Sequence, residues 1–156
     1  MTPESERLMM YGEPAEGTPI DWAWVDAELT RAGVYWIVAV DGDRAHTRPV
    51  WGVWRGHELF LSIGSPKVNN AIAPESPVTV HLGGDVDVVI VEGHILGSSD
   101  DAAALREYDA KYDWDYSVDV YGPFTVVEPD KVMAWRSAGE AGRDGFQAAG
   151  KWRFGN

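Results

Sequence analysis

RAHTRPVWGVWRGHELFLSIGSPKVNN, residues 44–70, is the stretch that organises this chain. It holds four basic side chains and one acid, a local charge of four minus one, or +3, in a chain of formal net charge −12. They are Arg44, Arg48, Arg55 and Lys67, with Glu58. Residues 45–54 and 58–63 predict a β-hairpin around residues 55–57. Positive charge gathered on one hairpin of an acidic protein favours an anionic ligand; the alternative is ordinary scattered surface cations.

The hairpin runs into Gly64-Ser65-Pro66-Lys67, where we predict a short helix over residues 67–73 that stops before Pro74. A flexible glycine, a hydroxyl and an ammonium meet at the start of this helix. A lysine there opposes the helix dipole unless an anion is present. The segment therefore predicts a place to hold a phosphate.

Composition limits the classes of protein to consider. A length of 156 residues, with 45% hydrophobic and 24% charged residues, predicts one ordinary globular domain. Eight tryptophans favour a dimer interface or a stacking surface for a planar ligand. The acidic balance argues against nucleic-acid binding, and the lack of cysteine excludes disulfides and thiol catalysis. The longest apolar run, residues 34–40, is too short to span a membrane, and the first residues lack signal-peptide features, so we expect a cytoplasmic protein.

The chain in order predicts a flexible N-terminal arm over residues 1–19 and a single domain over residues 20–156. Asp21 caps a helix that runs to about Ala32, with Trp22, Val25 and Leu29 on its buried stripe. Further elements are predicted as strands at 34–40, 78–82, 86–96, 121–127, 132–135 and 151–154, a helix from Ser99 to Tyr112, and a loop at 138–150.

Six or more mostly sequential antiparallel strands with few helices predict a mainly β (α+β) fold, a small barrel with flanking helices. Within the strand at 45–54, alternation directs Trp51 and Trp54 to opposite faces, so they cannot both stack on one ring. Pro49 cannot donate to a strand ladder, which predicts an edge or a bulge there. A free edge leaves backbone groups available to a ligand.

The sequence resembles the pyridoxamine 5′-phosphate oxidase-like split β-barrel superfamily over about residues 22–154. It is most similar to the actinobacterial branch of flavin- or deazaflavin-dependent oxidoreductases. The resemblance rests on RPVWGVW (48–54) and the Ser65-x-Lys67-x-x-Asn70 motif in their mutual spacing, followed by VVIVEG, KYDW, VMAW and KWRF. It implies a six- to eight-stranded antiparallel split β-barrel that forms a homodimer, with two cofactor sites at the subunit interface.

The resemblance also implies which residues bind the cofactor. Arg48, Pro49, Val50 and Trp51 would line the ring, and Ser65, Lys67 and Asn70 would hold its phosphate end, with Ile63 and Gly64 between them. Two departures from the pattern bear on the cofactor's identity. Pro66, Val68 and Asn69 replace basic residues that related proteins often carry, and the C-terminal Thr-x-Thr-Arg-Trp pattern is replaced by Ala148-Ala149-Gly150-Lys151-Trp152.

The resemblance favours coenzyme F420 as the cofactor, with FMN as the alternative. The implied activity is hydride transfer between reduced deazaflavin and a small unsaturated or quinone-like substrate. A cofactor-binding protein without turnover and a ligand-free interaction module are the other hypotheses. His46 and Tyr112 are candidate proton donors, although a structural role is the stronger expectation for each. The four histidines lack metal-ligand spacing, so no metal site is predicted.

Overall fold

The computed structural model describes residues 2–155 and is built mainly from β-strands, with four short α-helices. Met1 and Asn156, the ends of the predicted arm and domain, lie outside the described residues. The strands within residues 2–155 are β1 Glu4–Glu6, β2 Met9–Met10, β3 Glu13–Pro14, β4 Thr18–Pro19, β5 Tyr35–Asp41, β6 Arg44–Arg55, β7 Glu58–Ser62, β8 Pro77–His81, β9 Asp87–Ser99, β10 Phe124–Ser137 and β11 Phe146–Arg153. The helices are α1 Trp22–Arg31, α2 Pro66–Ala71, α3 Ala102–Tyr112 and α4 Val118–Tyr121, with a 3-10 turn at Glu140–Gly142.

Six of these strands close into an antiparallel barrel. The order is β10–β7–β6–β5–β8–β9, and β9 pairs back onto β10. β11 and β1 continue the sheet from the other end of β10, and β4 joins β11 in parallel. The predicted mainly β, antiparallel barrel with few helices is therefore confirmed. No helix within residues 2–155 is long and apolar enough to cross a membrane.

The hydrophobic core has two parts because the barrel wall is packed on both faces. Alternate residues of β5, such as Tyr35 and Ile37, point into the barrel and are fully buried. On the outer face, Tyr108 of α3 packs with Phe124 of β10 and Phe60 of β7. Helix α3 is thus fixed against the outside of β6, β7 and β10, where it forms one wall of the candidate site.

The two longer helices, α1 and α3, follow the predicted pattern. Asp21 caps α1 by accepting a hydrogen bond from the Ala23 N–H at 3.0 Å, and Trp22, Val25 and Leu29 are its buried residues. Asp101 caps α3 by accepting from the Ala104 N–H at 2.9 Å. In each case a local capping signal precedes a stripe of apolar residues at helical spacing, so the sequence alone is sufficient to predict the helix.

The two strands predicted at residues 121–127 and 132–135 are one continuous strand, β10. A proline at position 129 suggests that the strand is interrupted there, but the structure accommodates Pro129 at a register shift between Pro129 and Lys131. Gly93 on β9 lies opposite, and a Cβ there would collide with the Glu128 carbonyl oxygen. Tyr121 belongs to α4 rather than to a strand.

The predicted loop at 138–150 and short strand at 151–154 are also corrected, because β11 begins at Phe146. Its alanines and glycines pack rather than form a loop: Gly150 leaves room for the Trp152 ring. The N-terminal segment predicted as a flexible arm contains strand β1, which pairs with β11. Glu6 forms ion pairs with Lys151 and Arg153, contacts that no local pattern could indicate.

Candidate functional site

The site begins with a change of partner along β6. Residues 44–50 pair with β5, whereas residues 51–55 pair with β7 on the opposite edge. Within the described residues, the β7-side edge of residues 44–50 therefore has no strand partner. Pro49 lies in this segment, opposite Trp36 of β5, so the prediction of an edge is confirmed.

An open cleft of about 400 Å³ lies beside this free edge. One wall, the strand wall, comes from β6, β7 and the start of α2. The other, the aromatic wall, comes from α3, α4 and the segment between them. The strand wall consists of Arg48, Pro49, Val50, Trp51, Ser62, Gly64 and Ser65, and the aromatic wall of Tyr108, Trp114, Tyr116 and Tyr121. We call the space between them the aromatic cleft.

The aromatic rings around the cleft pack against one another. Trp51 stacks on Tyr112 with centroids 4.4 Å apart and planes 1° apart, and Trp114 meets Trp51 edge-on at 5.9 Å. Trp51, Trp114 and Tyr121 nevertheless remain 40%, 45% and 49% exposed. Large exposed aromatics gathered around one concavity indicate a binding surface for a flat apolar molecule.

Trp51 and Trp54 take opposite faces, as the strand alternation predicts. Trp54 is 5% exposed, and its indole Nε1 donates to Asp26 Oδ1 at 2.7 Å. Trp54 is therefore a core residue, and Trp51 is the tryptophan of β6 that faces the cleft.

Six of the nine residues that the resemblance assigns to the cofactor meet in the cleft: Arg48, Pro49, Val50, Trp51, Gly64 and Ser65. Ile63 is buried, and its carbonyl accepts from Asn69 Nδ2 at 2.8 Å. Lys67 and Asn70 lie exposed on α2, beyond the cleft lining. Ser65 also caps α2, with its hydroxyl accepting from the Val68 N–H at 3.4 Å.

The two candidate proton donors occupy different surroundings. The Tyr112 hydroxyl accepts from the Gly52 N–H at 3.0 Å and donates toward the Gly33 carbonyl at 2.9 Å. Burial raises the pKa of Tyr112, so the hydroxyl stays protonated. His46 lies on β6 opposite Ala39, outside the cleft lining. The catalytic role of either residue stays a prediction.

Lys111 is a half-buried residue that the sequence did not single out. Its Nζ donates to Tyr35 Oη and to the Gly52 carbonyl, both at 2.9 Å, and lies 4.7 Å from the centre of the Tyr35 ring. Burial lowers the pKa of Lys111 to about 8. Because its partners are 76 and 59 residues away in sequence, no local pattern could have indicated this contact.

The aromatic wall was also missed as a site, although a signal was present. Five aromatic residues fall within residues 108–121, more than the buried face of one helix requires. Tyr108 lines the cleft, and burial raises its pKa to about 12. Its hydroxyl therefore remains protonated near neutral pH. Within residues 2–155, no group of three or more histidine, aspartate or glutamate side chains could hold a metal ion.

Comparison with known proteins finds solved structures that resemble this one. No family profile matches the sequence, and no curated protein does. The FAD-binding protein from Mycobacterium smegmatis matches with a TM-score of 0.57 and 18% identity over 88% of this chain and 100% of its own. A Listeria innocua protein named as a candidate pyridoxamine 5′-phosphate oxidase matches at 0.53 and 20% identity, over 72% and 95%. A FAD-binding protein from Mesorhizobium loti matches at 0.52 and 12% identity, over 85% and 94%. The chain shares its fold with these proteins.

Proposed function

We propose that the aromatic cleft binds the ring of a flavin-type cofactor, and that the protein is an oxidoreductase with coenzyme F420 as its preferred cofactor. The observation that carries the proposal is the convergence of Arg48, Pro49, Val50, Trp51, Gly64 and Ser65 on one aromatic-lined cleft. The resemblance, which rests on the sequence alone, assigns these same residues to the cofactor. Structural neighbours named for FAD binding lend further support.

The residues present fit a flat, polar-edged ring. Pro49 and Trp51 supply an apolar surface, and the unpaired edge of residues 44–50 offers backbone donors and acceptors to the ring's polar rim. Gly64 and Ser65 continue the same wall toward α2. Lys67 follows there as an exposed cation that forms no ion pair within residues 2–155. With Asn70, it would hold the phosphate end of the cofactor.

A bound flavin or deazaflavin would supply hydride transfer, and the protein would supply orientation, electrostatics and exclusion of water. Residues 48–51 would fix the ring against the strand wall. The Tyr108 hydroxyl, protonated because burial raises its pKa to about 12, can donate a hydrogen bond within the cleft. The substrate would be a small unsaturated or quinone-like molecule stacked on the open face of the ring.

The assembly proposed with this function follows the resemblance. Two chains would form a homodimer, with each cofactor at the interface and neither nucleic acid nor membrane as a partner. Val120 is an apolar side chain that is 72% exposed outside the cleft lining, and it is suited to burial by a second subunit. The proposed location is the cytoplasm.

FMN is the alternative cofactor, because the α2 segment offers few cations. Lys67 is the one lysine or arginine between residues 56 and 105, whereas the acidic tail of F420 would favour several. A protein that binds a flavin or deazaflavin without turnover is a further alternative, supported by the absence of a histidine or carboxylate from the cleft lining.

Titration of the purified protein with F420, FMN and FAD, followed by fluorescence, tests the cofactor. We expect F420 to bind most tightly and Lys67→Ala to weaken binding about tenfold, through loss of a charge-assisted contact. Lys131→Ala is the matched control, because Lys131 is paired with Glu92 on the barrel and lies outside the cleft. Preferential binding of FMN or FAD would move the protein to the flavin alternative.

If none of the three cofactors binds at micromolar concentration, the proposed site is wrong. Turnover is tested separately by mixing the reduced complex with enones and quinones and following reoxidation of the cofactor. Tight binding without accelerated reoxidation by any acceptor would support the non-catalytic alternative.

A further inference from the structure

The two walls of the aromatic cleft differ in charge. The strand wall carries Arg48, and α2 follows it with Lys67. Three of the four lining residues of the aromatic wall lie in DWDYSVDVY, residues 113–121, which has three aspartates and no basic residue. Its lining residues Trp114, Tyr116 and Tyr121 are interleaved with those aspartates: Asp113, Asp115 and Asp119.

These three carboxylates are exposed, and none forms an ion pair within residues 2–155. Their charges are therefore not neutralised locally. Asp113 and Asp115 flank the lining residue Trp114, and Asp119 is two residues from the lining residue Tyr121. Consecutive Cα atoms lie about 3.8 Å apart, less than the Debye length of about 8 Å at physiological salt. Charges at this spacing contribute to the electrostatic potential along the wall.

The aromatic wall is held in place by its own hydrogen bonds. Asp113 ends α3 in the left-handed conformation, and Asp109 Oδ1 accepts from the Tyr116 N–H at 2.8 Å. The Tyr116 hydroxyl donates to the Gly122 carbonyl at 2.8 Å. Trp114 and Tyr121 contact each other at 6.4 Å between centroids while remaining about half exposed. The rings are thus presented to the cleft by a braced turn.

We propose that the aromatic wall selects flat substrates that carry no negative charge, with cationic molecules preferred over neutral ones and neutral over anionic ones. Ring faces attract cations, and the aspartate field adds to that attraction. An anion entering along this wall meets repulsion from three carboxylates. The inference rests on the proposed function, which assigns the strand wall to the cofactor and leaves the aromatic wall to the substrate.

The test uses three naphthoquinones that differ in charge: 1,4-naphthoquinone, a sulfonate derivative and a trimethylammonium derivative. Their dissociation constants are measured by quenching of tryptophan fluorescence, with and without bound cofactor. We expect the cationic compound to bind about tenfold more tightly than the anionic one at 20 mM salt, and the ratio to fall below about twofold at 0.5 M salt.

The combined variant Asp113→Asn, Asp115→Asn, Asp119→Asn should reduce this ratio to about twofold or less at low salt. Asparagine tolerates the left-handed conformation at position 113, so the turn is preserved. The matched control is Asp41→Asn, Asp43→Asn, Asp85→Asn, which changes the net charge equally at exposed positions outside the cleft lining. The control should keep the full ratio.

Equal affinity for the three compounds, tightest binding of the anion, or a ratio unchanged in the cleft variant would each overturn the inference. Because the affinities of the cationic and anionic compounds are compared within one variant, a general loss of affinity does not change their ratio. If the cationic compound binds most tightly and the anionic one most weakly but no flavin or deazaflavin binds, the proposed function is wrong and the inference about substrate charge is retained. If the cofactor binds and turns over but the three compounds do not follow this order, only the inference about substrate charge is wrong.

Discussion

Each half of β6 lacks a strand partner on one of its two edges. The two unpaired edges differ in what lies against them. Beyond Val50, the edge on the β5 side is filled by side chains from α3: Tyr112 bonds the Gly52 N–H, and Lys111 bonds the Gly52 carbonyl. Before Trp51, the edge on the β7 side has no strand partner within residues 2–155 and borders the aromatic cleft. We call these the closed edge and the open edge.

The comparison separates residues that stabilise the fold from residues available to a ligand. Buried backbone groups need partners, so the closed edge uses a tyrosine and a lysine as substitutes for the missing strand. The open edge lies beside a concave surface, where a ligand can satisfy the same kind of groups. Changes at the closed edge should therefore reduce stability, whereas changes at the open edge should reduce binding.

The largest effect is expected for Gly52→Ala, in the half of β6 that carries the closed edge, because a Cβ there would collide with β7. A Cβ on Gly52 would lie 2.5 Å from the Phe60 carbonyl oxygen and 2.7 Å from Leu61 Cδ2. We expect the free energy of unfolding to fall by about 3 kcal/mol, measured by urea denaturation. Gly64→Ala is the control, because a Cβ on Gly64 meets nothing within 4 Å. Equal stability of the two variants would contradict the comparison.

Tyr112→Phe should have the next largest effect. The substitution keeps the ring stacked on Trp51 but leaves the Gly52 N–H without its acceptor. We expect a loss of about 1.5 kcal/mol in the free energy of unfolding. Tyr121→Phe is the control, since Tyr121 is 49% exposed and loss of its hydroxyl should cost less than about 0.5 kcal/mol.

Lys111→Met should change how stability depends on pH. Burial lowers the pKa of Lys111 to about 8, below the 10.5 of an exposed lysine. Between these values the unfolded chain binds more protons than the folded one, so this amine makes the folded state more stable as pH rises. The stability of the natural protein minus that of Lys111→Met should therefore increase from pH 8 to pH 10. A flat difference would show that Lys111 is fully charged in the folded protein.

The smallest effect on stability is expected for Arg48→Gln at the open edge. The Arg48 guanidinium bonds the neighbouring Thr47 carbonyl at 2.8 Å and contacts no carboxylate within residues 2–155. We expect the free energy of unfolding to change by less than about 0.5 kcal/mol. Cofactor titration of the same variant should show weaker binding. A large loss of stability would place Arg48 among the structural residues.

Local sequence patterns predicted the helices and strands that depend on neighbouring residues in the chain. Capping signals and helical spacing predicted α1 and α3, and the alternation of β6 predicted that Trp51 and Trp54 take opposite faces, which prove to be the cleft and the core. The same reasoning split β10 at Pro129, because a register shift depends on the opposing glycine of another strand.

The candidate site was predicted on one wall only. The strand wall is continuous in sequence and matched a recognisable motif, whereas the aromatic wall lies about 60 residues further along the chain. Its residues Tyr108 and Trp114 have ordinary helical and turn roles in the sequence, and only the packing of α3 on the barrel brings them opposite Pro49. The closed edge was missed for the same reason, since Lys111 and Gly52 are joined by tertiary structure alone.

The long strand β10 has a consequence for how the chain folds. It pairs with β7 and β9, so the barrel can close only after residues 124–137 have been synthesised. Until then both β7 and β9 expose an unpaired edge, and such edges associate readily with other chains. Pairing over this sequence distance is also slow. Aggregation during synthesis, rather than low stability of the finished fold, is the expected fate of chains that end before residue 124.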